Sequence, residues 1–370
     1  MRVLCIGSAM VDIIVMVESR NIERMTMQNA PSSFLLLEQG AKVEAESISI
    51  HCGGGAVNAA VAMRRLGADT AVLAKIGRDG NGQRIVEFLA AEGVDTARLI
   101  HTDEDATGQA VLVSSHDRNP TIFTQRGANG LIRTDELTED AFVGCELVYV
   151  SALSNRSADC FPHIMKRAMA AGAFVSANPG IRQITSRTEA LLSSVAGLGL
   201  LAVNRVEANA LVPAVAGRAG GRPARRLEDG DWAGELPRLM RQGLSFGGFD
   251  MGLTTFLSGL MQVSGIERAA VTDGTEGAFV ADKSGLYYCP SLEVEVMGTA
   301  GAGDAFTATL SLMLASGAEP ARALRAAAVN SAAVVANSDT THGLLDRDAM
   351  AERVGALGAD LAVQFQPWVG

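Results

Sequence analysis

The sequence predicts an α/β fold: a mostly parallel sheet with helices on both faces, joined to a small separate β-sheet. Three observations carry that prediction. Short β-branched runs alternate with longer segments of helical periodicity. Two segments instead alternate polar and apolar residues with period two. A glycine-rich turn, Gly298-Thr-Ala-Gly-Ala-Gly-Asp304, leads straight into an apolar helix.

Taken in order, Arg2 to Ile6 is a strand-length apolar run that turns polar and reaches Asp12, the pattern of a first strand rather than of an export signal. Helical spacing over Ala56 to Leu66 and Gly82 to Glu92 brackets a strand at Thr70 to Ala74. Further strands are expected at Leu147 to Val150, Phe174 to Ser176, Leu198 to Val203 and Ala269 to Thr272. Helices are expected at Ala158 to Ala171, Arg205 to Val212, Asp304 to Ala315 and Glu319 to Ala336. Strand–helix–strand units of this kind pair in parallel, and such sheets bind ligands beyond the carboxyl ends of their strands.

Residues 17–50 and 108–125 break the alternation and are expected to form the small sheet, with the core built from residues 1–16, 51–107 and 126–370. Residues 214–235, rich in Gly, Arg and Ala, read as a solvated loop inserted within the core.

With 370 residues, 48% hydrophobic and 19% charged, the chain can bury one large core plus a smaller attachment. A net charge of −10 gives no general attraction for nucleic acid or an anionic membrane, so any phosphate must be held by local geometry. The five cysteines, at 5, 52, 145, 160 and 289, form no Cys-x-x-Cys pair and fit reduced thiols of a cytoplasmic protein. The apolar run from Ala190 to Val203 is too short to span a bilayer.

The Gly298 to Asp304 turn reads as a phosphate-transfer site. Its glycines precede a helix whose first N–H groups lack internal partners and whose dipole favours an anion. Gly301 and Gly303 permit close backbone approach and dihedrals that a side chain forbids. Asp304, delivered to the same place, would repel phosphate unless its task is to accept a proton from the attacking hydroxyl. A capping Asp beside a packing loop is the plainer alternative.

A rival chemistry rests on Gly53-Gly-Gly-Ala-Val-Asn58, which partly mimics a dinucleotide fingerprint. It fails in two places: its last position is Asn58 rather than Gly or Ala, and the next strand leads to Lys75 where a ribose-binding acid belongs. No Gly-Lys-Ser/Thr loop occurs, and the five histidines sit in no recognisable nucleophile context.

Gly301-Ala-Gly-Asp304 resembles the second signature of the ribokinase-like (PfkB) carbohydrate kinases. Cys52-Gly-Gly-Gly-Ala-Val-Asn58, with Gly67 and Ile76-Gly-Arg-Asp-Gly-Asn-Gly82 behind it, is similar to that family's first signature. Asn204-Arg-Val-Glu207 resembles its Asn-x-x-Glu motif, and Val271-Thr-Asp-Gly274 with Gly277 its nucleotide strand and turn. Four motifs in the family's order cover nearly the whole chain.

The resemblance implies a ribokinase-like fold with the small sheet as a lid over the acceptor, often also a homodimer surface. It implies ATP and Mg²⁺ as cofactors. Asp304 would be the base, and the backbone of Gly301, Ala302 and Gly303 the anion hole. Asp12, Gly54, Gly55 and Asn58 would bind a small hydroxylated acceptor. Thr272, Gly274, Gly277, Asn204 and Asn330 would hold the nucleotide, and Glu207 the metal through water. The family's usual Asp at the head of the second signature is Gly298 here, so potassium activation is not expected; Gly55 replaces the Lys common in ribokinases. The implied activity is ATP-dependent phosphorylation of a sugar or sugar derivative. The alternatives are a nucleoside kinase and, more remotely, a nucleotide-binding regulator or dinucleotide enzyme.

Overall fold

The computed structural model describes residues 1–17, 23–26, 33–36, 39–40, 42–114, 121–220, 225–227, 232, 235–337, 339–358 and 361–369. Residues 18–22, 27–32, 37–38, 41 and 115–120 of the expected lid lie outside the described residues, as do 221–224, 228–231 and 233–234 of the expected insertion.

Among the described residues, the main sheet has ten strands. Their order is Arg226–Leu227, Gln364–Val369, Gly285–Cys289, Ala278–Ala281, Ala269–Thr272, Leu200–Asn204, Phe174–Ala177, Leu147–Val150, Arg2–Ile6 and Asp69–Leu73. The last six run parallel, and the four at the other edge are antiparallel. The parallel strands are buried on both faces, as helix-covered sheets require. Their alternate residues therefore feed two cores. Leu4, Ile6, Val148 and Val150 pack with Ile164, Leu191, Leu211 and Leu257 on one face. Val3, Cys5, Leu147 and Tyr149 pack with Val57, Val61, Ala305 and Ala308 on the other.

Arg2–Ile6 sits between Asp69–Leu73, which follows it in the chain, and Leu147–Val150, which comes much later. That reversal of strand order opens a crevice beyond the strand ends. Gly7, Ser8 and Ser151 emerge there, and a Cβ at Gly55 would stand 2.7 Å from Ser151 Cβ.

The second sheet runs Thr121–Gln125, Gly108–Ser114, Met10–Val17, Ala45–Gly53. This moves the expected boundary: the small sheet begins at residue 10 rather than 17, so Asp12 comes from it and not from the core. The reason is pairing, since Met10–Met16 pairs in register with both neighbours and the strand buries Val11, Ile14 and Val17. A short hairpin, Glu23–Thr26 with Ser33–Leu36, follows within the expected lid.

The helix starting at Arg205 outruns its expected end at Val212 and reaches Ala219, inside the stretch read as a loop. Pro213 would ordinarily break it. Val212 and Val215 are fully buried on either side of that proline, and this packing carries the helix on to a left-handed Gly220. Arg226–Leu227 then pairs with Gln364–Val369, so this part of the stretch is sheet edge. Among the described residues, no helix is long and apolar enough to cross a membrane.

Candidate active site

The helix Ala302–Ala315 begins where its sequence says it must. Gly301, at φ +80°, occupies the left-handed region, and a Cβ there would lie 2.8 Å from Thr340 Cβ and 3.0 Å from Thr340 O. Only glycine fits both demands. Gly303 differs from expectation: it is an ordinary helical residue with nothing within 4 Å of a would-be Cβ. Its bare backbone leaves space at the helix start instead of relieving strain.

That space belongs to a cleft of about 790 Å³ lined by Ala302, Gly303, Thr272, Gly274, Gly277 and Ser331 among others. Asp273 braces the far wall, although nothing in its motif singled it out. Buried to 5% exposure, it pairs with Arg205 at 2.8 Å and Arg238 at 2.6 Å, tying the Thr272–Gly277 turn to the helix after Asn204. Gly277, at φ +93°, lies against Pro290, whose Cα would be 2.9 Å from a Cβ.

Asp304 stands in the first turn of the same helix, on the crevice side. Asn58 Nδ2 donates to Asp304 Oδ2 at 2.8 Å, joining the two glycine-rich signatures across 246 residues. Asn58 was expected to give its amide to an acceptor hydroxyl; one N–H of that amide goes to Asp304, and its Oδ1 is buried without a partner among the described residues. Gly54, at φ +99°, and Gly55 form the neighbouring wall, with Gly55 N donating to Ser8 Oγ at 3.0 Å.

Asp12 faces this wall. A Cβ on Gly53 would lie 3.4 Å from Asp12 Cγ and 3.3 Å from Thr340 Oγ1. Thr340 Oγ1 is buried with no hydrogen-bond partner among the described residues. Sequence reasoning missed Thr340; the polar run Asp339-Thr-Thr-His342 behind an Ala-rich helix was its only trace.

Asn204 and Glu207 engage each other. Glu207 N donates to Asn204 Oδ1 at 3.0 Å, and Asn204 N to Glu207 Oε2 at 2.9 Å, a reciprocal capping box. Glu207 nonetheless senses the glycine-rich turn: burial raises its carboxyl to about 7, with the Asp304 charge adding to the rise against its bonds from Asn204. Asn330 requires a correction. It is fully buried, donates to Thr309 Oγ1 at 2.8 Å and accepts from Leu345 N at 3.0 Å, so it serves the core while Ala328, Ser331, Ala332 and Val335 of its helix face the cleft. A helical period of 3.6 residues forbids both faces at once.

Electrostatics set the site apart. Burial, helped by the Asp304 charge, pushes Asp12 up to about 7. Burial also raises Asp304 above the usual carboxylate range, opposed by the Asn58 hydrogen bond. Beneath them Tyr149 Oη is buried without a partner, and burial holds its hydroxyl in the protonated form.

A stability prediction follows, with its sign fixed by linkage. Folded Asp12 holds its proton to a higher pH than the unfolded chain does, so its contribution is complete below about pH 4 and is lost as pH rises through about 7. Asp12→Asn removes that loss. Urea unfolding should show the variant gaining on the parent between pH 5 and pH 8 by on the order of 1–3 kcal/mol. Parallel curves for the two proteins would contradict the assigned burial of charge.

Comparisons with known proteins agree with this geometry. The chain is 26% identical over 257 residues to the ATP-dependent ribose-1-phosphate kinase of Halopiger xanaduensis, covering 69% of this chain and 71% of that one. It is 34% identical over 98 residues to a Staphylococcus aureus ribokinase and 29% over 168 to the 2-dehydro-3-deoxygluconokinase of Bacillus subtilis. Those two matches cover 26% and 44% of this chain but only 32% and 52% of the relatives' lengths. In fold it is similar to the Arabidopsis thaliana ribokinase solved with ribose and ATP, at TM-score 0.69 and 19% identity, over 95% of this chain and 98% of the other. The Burkholderia thailandensis nucleoside kinase solved with inosine superposes equally well, at TM-score 0.69 and 17% identity, over 97% and 99%. The fold is thus ribokinase-like. Residues 1–216 and 258–347 match the pfkB family of carbohydrate kinases, and the chain belongs to that family.

Proposed function

We propose that the protein transfers the γ-phosphoryl group of ATP to a hydroxyl of a small sugar or sugar derivative, with Asp304 as base and the 301–304 turn as anion hole. One observation carries the proposal: the Gly301 turn separates a cleft large enough for a nucleotide from a pocket where Asp12, Thr340 and Asn58 keep polar atoms for a polyol, and Asp304 stands between them. The cleft fits ATP, because Gly303 leaves room for a phosphate against helix N–H groups that lack internal partners. The donor set fits Mg²⁺ held through water, since Glu207 and Asp304 offer hard oxygens near enough for the Asp304 charge to act on Glu207.

When bound, Mg²⁺ would neutralise charge on the ATP phosphates. The chain's own residues do the rest. Asp12 orients the acceptor, Asn58 fixes the Asp304 carboxylate, and Asp304 draws the hydroxyl proton as the nucleophile advances. The backbone N–H groups of the turn then take up negative charge on the transferred group. The small sheet would cover the acceptor and exclude water.

A nucleoside acceptor remains the second reading. An acceptor with an anionic group also has a specific observation behind it. Arg126, half-buried at the foot of the small sheet, feels the charge of Arg182, and neither forms an ion pair among the described residues.

Coupled ADP release over a panel of sugars, sugar phosphates, sugar acids and nucleosides tests the proposal. Turnover with a sugar-class compound is expected; no turnover across the panel would reject the activity. With the best acceptor, rates should require Mg²⁺ and change less than about threefold between K⁺ and tetramethylammonium buffers, because Gly298 leaves carbonyls without a nearby acid to hold the ion. A strong K⁺ stimulation would refute that last point.

The small sheet would also mediate a homodimer. Its outer strands expose Ile48, Ile50 and Phe123, which the register places on one face with Ile13 and Val111, an apolar surface unusual for a free sheet. Sedimentation should give a dimer that the paired change Ile48→Lys with Ile50→Lys dissociates; a monomeric parent would end this assignment.

A further inference from the structure

Nitrogen and oxygen donors converge where the strand bearing Asp12's partner meets the loop that carries Thr340. His51 lies on the strand Ala45–Gly53, directly across the pairing from Asp12. Asp339 and His342 lie in the loop that follows the helix Pro320–Val335. One ligand atom from each of the three lies within 4.8 Å of the others.

The arrangement around them is ordered. Asp339 is buried to 4% exposure, and its Oδ1 accepts from Thr341 N at 2.9 Å and His342 N at 2.8 Å. Its Oδ2 is thereby aimed at His342 Nδ1, 2.7 Å away. On the other side, His51 Nε2 contacts Ser49 Oγ at 2.8 Å, and the two imidazoles meet edge to face with centroids 6.2 Å apart. Backbone and hydroxyl partners that orient ligands in this way are the usual outer support of a metal site.

We propose that His51, Asp339 and His342 form a binding site for a divalent transition metal of the Zn²⁺ class, linking the small sheet to the core. Two imidazoles and a carboxylate suit Zn²⁺ or Co²⁺ and not Mg²⁺, which prefers oxygen and keeps its waters. Tetrahedral ligands with bonds of about 2.0–2.2 Å lie roughly 3.4 Å apart, so Asp339 Oδ2 and His342 Nδ1, now 2.7 Å apart, must open slightly while the wider spacing to His51 closes. His342, 75% exposed, is free to supply that movement. A fourth position stays open to water. Thr340, held inside the same loop, lies against Gly53 and Gly301, so the metal would fix the strand bearing Gly53 to the loop that backs the phosphate turn. This site is independent of the phosphoryl-transfer reading.

Titrating the full chain with Co²⁺ in excess Mg²⁺ tests the inference without any activity assay. One equivalent should bind with the strong visible bands of tetrahedral Co²⁺, and Zn²⁺ should displace it. His51→Ala and His342→Ala should each weaken binding at least tenfold, while His342→Cys, which restores a ligand, should recover most of it. No stoichiometric Co²⁺, or parent-like binding by both alanine variants, would overturn the proposal and leave buried Asp339 and exposed His342 as a hydrogen-bonded pair.

Discussion

Asp304→Asn should lower kcat by roughly 10² to 10⁴ while leaving both ligands bound, the range expected when a positioned general base is removed. Asn keeps the shape and can still accept from Asn58 Nδ2, now 2.8 Å from Asp304 Oδ2, so the crevice wall should survive the change. What it loses is the proton acceptor. A helix N-terminus alone would hold this carboxyl at low pKa and make it a poor base. Burial dominates instead and raises it, which brings its basicity closer to the working pH. The transition state for phosphoryl transfer is loose, so part of the loss will come from a misplaced nucleophile rather than from missing basicity. Calorimetry of nucleotide and acceptor binding, run beside single-turnover phosphorylation, separates the two. Because the change also removes the charge that adds to the raised pKa of both Asp12 and Glu207, folding stability at pH 8 should hold or rise. Unchanged turnover would take Asp304 out of the chemistry and leave it a cap beside a packing loop.

Much of this site was legible because glycine and turn chemistry is local. Gly301, Gly54 and Gly277 all take positive φ, and each lies in a motif that the sequence marks. The parallel strands were equally plain, since double burial leaves β-branched runs with no polar face. Pairing partners were not legible. Nothing local says that Asn58 bonds to Asp304, that Thr340 backs Gly301, or that Asp273 holds two arginines. Asn330 failed for a related reason: an Ala-rich helix shows no clear face, and only packing decides which side meets the cleft. Asp12 was assigned to the core but lies on the small sheet, because Met10–Val17 starts so soon after the first strand that the break between them looks like a strand end.

The two glycines of the phosphate turn offer the sharpest contrast, and the same substitution at each should give different results. Gly301→Ala should cost about 1–3 kcal/mol of stability, because its φ of +80° is strained for any side chain and the new Cβ would press on Thr340 Cα at 2.9 Å. The turn can relieve that contact only by moving away from Thr340, which withdraws the first N–H groups of the helix from the transferred phosphoryl group. A loss of roughly 10² to 10³ in kcat is expected, comparable to removing one anion-hole donor. Gly303→Ala meets no atom within 4 Å and lies within the helix, where Ala is favoured over Gly by about 0.5–1 kcal/mol. It should therefore melt no lower than the parent. Its methyl group enters the nucleotide cleft, so the expected defect is a raised KM for ATP with a smaller change in kcat. Melting curves and steady-state kinetics on both variants decide the matter. If Gly301→Ala turns over normally, the turn is not the phosphate cradle; if Gly303→Ala is the less stable of the two, the left-handed residue has been misplaced.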